Sequence, residues 1–139
     1  MQDDNKNIIS ARVGTSVSRK RILIVDDEPA ILRSTAYLLE AMGFEVLTCS
    51  EVNLVLDTIS KERPTLLLQD VRMPGLDIDR HVQTVRAHAH GRSMPIVLFT
   101  ASMDLADVAE RVGADATLEK PFKPDELLRV VDTLAPTAA

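Results

Sequence analysis

Asp26 and Asp27 stand side by side in ILIVDDEPAIL, Asp70 closes LLLQD, Thr100 closes PIVLFT, and Lys120 follows TLE in TLEKPFKPDEL. Three carboxylates, a hydroxyl and an ammonium group thus arrive from separate stretches, each behind a run of strand length. Taken singly they are ordinary, because an aspartate after a strand is most often a turn former or a helix cap. Taken together they are hard to assign to turns. Adjacent like charges repel, and each costs desolvation free energy when partly buried, so three carboxylates in one patch require a counter-charge. A hard divalent cation with oxygen ligands supplies it, and Mg²⁺ suits a site with few carboxylates and several retained waters. Lys120 adds a second positive charge and Thr100 a donor hydroxyl, which suits the set to an anion beside a metal. Phosphoryl fits best, because its transfer asks of a protein mainly positioning and neutralisation of charge on the equatorial oxygens. A carboxylate can itself be the nucleophile and form an acyl phosphate. Asp70, between the two flanking groups, is the candidate.

Residues this far apart in sequence meet only if their segments end on one edge of a common scaffold. Strand-length runs lie at 22–26, 44–48, 66–70, 96–100 and, more weakly, 115–119. Those at 22, 66 and 96 are nearly continuous, as in parallel strands covered on both faces. The run at 44 alternates and the last is thinly apolar, which places both towards the sheet edges. Between the runs the period turns helical. Ile31, Thr35, Leu38, Leu39 and Met42 form one stripe, opened by Pro29 and closed by Gly43. Val52, Val55, Leu56 and Ile59 form the second, Leu105, Val108, Ala109 and Val112 the fourth, and Leu127, Leu128, Val131 and Leu134 the fifth. The third, roughly 77–90, keeps only Ile78, Val82 and Val85 as firm apolar positions, with Asp79 and His81 between them, and predicts a loose or repositioned helix start. Five βα repeats predict a doubly wound α/β sandwich. Right-handed crossovers bring all strand carboxyl ends to one edge, where open α/β sheets bind ligands.

The composition excludes several classes. Of 139 residues 45% are hydrophobic and only 3% aromatic, with no Trp, so the core is built from Leu, Val, Ile and Ala. A net charge of −5 argues against a direct nucleic-acid surface. The lone Cys49 rules out an internal disulfide and a cysteine-based zinc site, and reads as a small packing residue. No apolar run approaches the roughly 20 residues of a membrane span, and MQDDNKNIIS lacks the order of a signal peptide. No membrane partner and a reducing, cytoplasmic setting are expected. Residues 1–19 are polar and read as a flexible N-terminal arm, ahead of one domain over 20–139. His81, His88 and His90 read as solvated residues near a helix end and not as a metal cluster, since 88 and 90 fall on different helical faces.

The pieces DDEP, DVRMPG, TA and KPF, in this order and spacing, resemble those of CheY-like receiver domains of two-component response regulators, over about residues 20–135. The resemblance implies a flavodoxin-like (βα)5 fold with a parallel sheet of order 2-1-3-4-5. It implies that Asp70 is the phosphoacceptor, that Asp27, Asp70 and the backbone carbonyl of Arg72 bind Mg²⁺, and that Asp26 acts mostly through water. Thr100 and Lys120 would each contact a phosphoryl oxygen, and the Lys120–Pro121 bond would be cis. The phosphoryl donor would be a phosphohistidine on a histidine kinase or phosphotransfer protein, or a small acyl phosphate. Such a chain catalyses only its own phosphorylation and dephosphorylation, with Arg72 and Ser102 flanking the site. Its output passes to a downstream protein effector or along a phosphorelay, or through a homodimer formed by the fourth helix, fifth strand and fifth helix. With the sequence stopping at PTAA, the chain reads either as a stand-alone receiver, which Met1 favours, or as a piece of a longer protein.

The chain departs from the family pattern at Thr117, at Ile78 and Asp79, and in its histidines. Thr117 stands where an aromatic switch residue is usual, so readout is expected from the loop after Thr100 and the following helix. Ile78 and Asp79 replace a glycine and an apolar residue after MPGLD, and His81 follows. Two other readings stand beside the switch: a receiver-fold interaction module that is not phosphorylated, and a phosphohydrolase with an aspartyl nucleophile. The second would place its nucleophile after the first strand in a DxD arrangement, where this chain has DD.

Overall fold

In the computed structural model, residues 20–101 and 104–135 are described; the expected arm at 1–19 and Ser102 lie outside them. The strands are β1 (Arg21–Val25), β2 (Glu45–Cys49), β3 (Leu66–Asp70), β4 (Ile96–Thr100) and β5 (Ala116–Glu119). They alternate with α1 (Pro29–Ala41), α2 (Val55–Glu62), α3 (Ile78–Ala87), α4 (Leu105–Val112) and α5 (Pro124–Leu134). All four strand pairings are parallel and the order is β2-β1-β3-β4-β5, as the resemblance implies. The two least apolar strands take the edges. β3 and β4 are buried along their whole length because helices cover both faces.

Alternation along the strands divides the core into two layers. Leu23, Val25, Leu67, Ile96 and Leu98 face Val55 and Ile59 of α2, Val82 and Val85 of α3, and Leu105 and Val108 of α4. Ile22, Ile24, Leu66, Leu68, Val97 and Phe99 face Leu32 and Leu39 of α1 and Leu127 and Val131 of α5. Each such side chain contributes about 1.5–3 kcal/mol on burial. The chain leaves β1 for β2 on one side and returns to β3 on the other. The loops after β1 and β3 therefore diverge, and a crevice opens between them.

Local signals set the boundaries. Pro29 occupies the first turn of α1, where its missing N–H costs nothing. Gly43, at φ +97°, turns the chain so that Phe44 N donates to Leu39 O and the Phe44 ring is buried. The second apolar stripe does not form one helix: Val52–Leu54 is a 3-10 turn that leads into α2. α3 stops at Ala87 instead of running to 90, and its start is fixed, since the Asp77 side chain accepts the Arg80 amide at 3.2 Å. Gly91 lies so close to the Val85 carbonyl that no Cβ fits there.

The histidines are not solvated as expected; all three are half-buried. His90 Nε2 lies 2.6 Å from Pro64 O, and His88 Nδ1 accepts the His90 amide at 3.1 Å. Cys49 is buried as expected, its thiol donating to Glu51 O and pushed up in pKa by burial. At the opposite edge of the sheet from the strand ends, Arg86 donates to the carbonyls of Gly91 and Met94 and to Asp115 Oδ2 at 3.1 Å. The same Asp115 oxygen accepts the Ile96 amide at 2.8 Å. One guanidinium thus holds the entry to β4 and β5. Arg86→Ala is expected to lower the free energy of urea unfolding by about 2 kcal/mol, and Arg86→Lys to recover less than half, because a point charge cannot reproduce the fork.

Candidate functional site

β1, β3 and β4 deliver Asp26, Asp70 and Thr100 to the crevice, and the turn after β5 delivers Lys120. Asp26 prolongs the β1–β2 pairing by one bond, its amide donating to Cys49 O, and its side chain is fully buried. A buried carboxylate needs donors. Asp26 Oδ1 accepts the Glu28 amide at 2.9 Å, and Oδ2 accepts Lys120 Nζ at 2.6 Å. Asp27 points to the exposed side. Asp70 is 3% exposed; its Oδ1 accepts the Arg72 amide at 3.3 Å and lies 3.7 Å from Lys120 Nζ. The Lys120 amide donates to Thr100 O at 2.9 Å, which ties the ends of β4 and β5 together, and Thr100 is buried. The Lys120–Pro121 bond is cis.

Asp26, Asp27 and Asp70 each offer a carboxylate oxygen, and these oxygens lie within 4.8 Å of one another. Burial pushes the Asp70 carboxyl up to about 6, with the Asp26 and Asp27 charges adding to the rise and Lys120 and the Arg72 amide opposing it. A divalent cation would reverse that balance, and three hard oxygens at this spacing suit Mg²⁺. A cavity of about 410 Å³ beside Asp27, lined also by Ser50, Glu51, Met73 and Pro74, leaves room for retained waters.

Residues 22–132 match the family model described as the response regulator receiver domain. The chain belongs to that family. Receiver domains are signalling modules that work with histidine kinases, and they bind Mg²⁺ at an acidic pocket. The chain is 38% identical over 116 residues to "Probable transcriptional regulator ycf27" of Cyanophora paradoxa, covering 80% of this chain and 46% of that one. It spans about half the length of the curated relatives it matches. The chemotaxis response regulator CheY4 of Vibrio cholerae superposes with a TM-score of 0.77 at 28% identity, over 84% of this chain and 99% of that one. The receiver domain of the sensor histidine kinase PA1611 of Pseudomonas aeruginosa, at TM-score 0.76 and 28% identity over 84% and 98%, has a magnesium ion coordinated in its active-site cleft. Among the described residues of this receiver domain, no helix is long and apolar enough to cross a membrane.

The structure brings Asp26, Asp27 and Asp70 together with Lys120 against two of them, Thr100 ends the adjoining strand with its carbonyl bonded to the Lys120 amide, and Arg72 lies on the turn directly behind Asp70. Thr117 is exposed on the edge strand, opposite Leu98 in the register. Asp79 pairs with Arg111 of α4 through two contacts of 2.8 and 3.1 Å, and Arg111 holds its carboxyl below the usual range. The unusual acid in this receiver domain is therefore a tie between α3 and α4. Three participants were not singled out from the sequence. Glu28 Oε1 lies 3.6 Å from Lys120 Nζ, and the Phe99 ring lies beneath that ammonium, 4.6 Å from ring centroid to nitrogen. Gln69 is fully buried beside the phosphoacceptor candidate. A polar residue inside LLLQD was the available signal for the last; nothing in the sequence marked Phe99.

Proposed function

We propose that this chain is a phospho-accepting switch in which Asp70 takes a phosphoryl group from a histidine kinase or phosphotransfer protein. The observation that carries it is the convergence of three carboxylates within 4.8 Å, with Lys120 Nζ against two of them. An Asp70 oxygen forms a bond to phosphorus as the phosphorus–nitrogen bond of the donor phosphohistidine breaks, and the departing imidazole keeps the electron pair. Asp27, Asp70 and the Arg72 carbonyl would hold Mg²⁺, with Asp26 acting mostly through water, and the ion would supply charge neutralisation at the transferring group. Lys120 and Thr100 contact phosphoryl oxygens, and Lys120 is already near Asp70 before transfer.

The product adds about −1.5 to −2 charge at the strand edge, and a bistable element must report it. The exposed Thr117 carries no ring to swing inwards, which favours the loop after Thr100 and α4 as the moving part. The face of α4, β5 and α5 is the surface for a protein effector or a second copy, and the acidic balance disfavours direct contact of this stretch with nucleic acid. A cytoplasmic location agrees with a donor that is itself a kinase.

Incubation with acetyl phosphate and Mg²⁺ is expected to add the mass of one phosphoryl group to the intact protein. Asp70→Asn, or excess chelator, is expected to abolish the gain. An equal gain in Asp70→Asn would remove Asp70 from this role, and no gain with acetyl phosphate or any phosphohistidine donor would leave an interaction module that is not phosphorylated.

A further inference from the structure

Gln69 is fully buried at the penultimate position of β3, and a buried primary amide left without partners costs free energy for each lost bond. Its side-chain partners belong to the phosphoacceptor turn and to α3. Gln69 Nε2 donates to the backbone carbonyl of Asp70 at 2.9 Å and approaches Met73 Sδ at 3.7 Å. Gln69 Oε1 lies 2.9 Å from His81 Nε2, twelve residues on in α3. With its NH₂ committed to Asp70 O, the amide can only accept from the imidazole, so His81 is the donor, protonated at Nε2. Burial also holds His81 below its ordinary pKa, in keeping with a neutral ring.

We propose that His81, acting through Gln69, is a positioning residue for the phosphoacceptor turn. This rests on the reading of Asp70 as phosphoacceptor. The Gln69 amide grips the turn at Asp70 O and at Met73, and between these two points the Arg72 amide donates to Asp70 Oδ1. His81 is what keeps that grip oriented. Without a donor facing Oε1, the amide oxygen is left buried and unsatisfied, and the side chain shifts to reach another donor, which pulls Nε2 off the Asp70 carbonyl. The peptide after Asp70 then loses its fixed plane, and with it the carboxylate and the Arg72 carbonyl that the metal needs. The side chain that narrowed the apolar stripe of α3 is the outer support of the site.

The test uses the full chain labelled with ¹⁵N, as wild type, His81→Leu, His81→Gln and His90→Leu. The last removes a hydrogen-bonded histidine that does not touch Gln69. Two quantities decide the role of His81, the Val71 and Arg72 amide resonances without metal and the Mg²⁺ dissociation constant; phosphoryl uptake by intact mass tests Asp70 separately. In His81→Leu both amides are expected to move and Mg²⁺ affinity to fall about tenfold, the size of effect seen when an outer hydrogen bond to a metal ligand is removed. His81→Gln, which presents an N–H at a similar reach, is expected to restore both; His90→Leu is expected to leave them at the wild-type values. Unmoved amides and unchanged affinity in His81→Leu would overturn the proposal, as would an equal loss in His90→Leu or a failure of His81→Gln to restore. If His81→Leu does not fold, Gln69→Met carries the same expectation and the same refutation. A wild type that binds Mg²⁺ but takes no phosphoryl group would refute the reading of Asp70 alone, because amide positions and metal affinity still decide the role of His81.

Discussion

In metal-free buffer at pH 7, Asp70→Asn is expected to be more stable than the wild type by about 2–3 kcal/mol, and the gap is expected to close as the pH falls towards 4. The sign follows from the Asp70 carboxyl, raised from 3.8 to about 6 by burial and by its acidic neighbours. Between those values the folded wild type binds more protons than the unfolded chain, so stability falls as pH rises through the window. Above about pH 6 the loss is complete, and a rise of this size corresponds to about 3 kcal/mol. The amide of Asn has no charge to desolvate. His81 works in the opposite direction over part of the same range, because a lowered imidazole pKa gives stability that is lost as pH falls. Both proteins share that contribution, so their difference isolates Asp70. Urea unfolding at half-unit pH steps with chelator present measures it. Added Mg²⁺ is expected to narrow or reverse the order, since it stabilises the folded wild type by mass action. A gap of constant size from pH 4 to 7, or a wild type that is the more stable protein in chelator, would refute the account of Asp70.

Lys120→Met is expected to act in the other direction, lowering stability in chelator by about 3 kcal/mol. Asp26 is 0% exposed and its Oδ2 rests 2.6 Å from the Lys120 ammonium. Removing one member of such a pair leaves a buried charge without its partner, which costs more than the pair contributes. Methionine retains most of the volume, so the loss reports charge and not packing. Adding Asp26→Asn to Lys120→Met is expected to recover most of the loss, and Mg²⁺ part of it. If the double variant is as unstable as the single one, the cost lies in the lost contact of the Lys120 ammonium with the Phe99 ring and not in Asp26.

The scaffold was legible because its signals are local. Continuous apolar runs marked the buried strands, alternation in FEVLT and thin apolarity in DATLE marked the edges, and a charged or hydroxyl residue at the end of each central run marked the rim. Topology then needed only a handedness rule to bring those ends together. What escaped was settled by partners distant in sequence. His81 looks like a surface residue until Gln69 is set opposite it, and Asp79 looks like drift until Arg111 arrives from α4. The second helix was misjudged in its first turn because Val52 has the right period, but the chain there closes a 3-10 turn before entering α2. The third was drawn too long because the histidines at 88 and 90 carry on a helical composition beyond the point where Gly91 must pass the Val85 carbonyl.

The tie between Asp79 and Arg111 has a further consequence. Both side chains are about half exposed, at 47% and 54%, so dissolved ions compete for them directly. Screening acts over a Debye length of about 8 Å at physiological ionic strength and about 3 Å in molar salt. α4 is therefore fastened to α3 by a contact whose strength the surrounding electrolyte sets, while Asp26 and Lys120 are shielded from it. Ionic strength can loosen the helix proposed to carry the output without altering the chemistry at Asp70, so the same phosphorylated fraction would be read differently in dilute and in concentrated media.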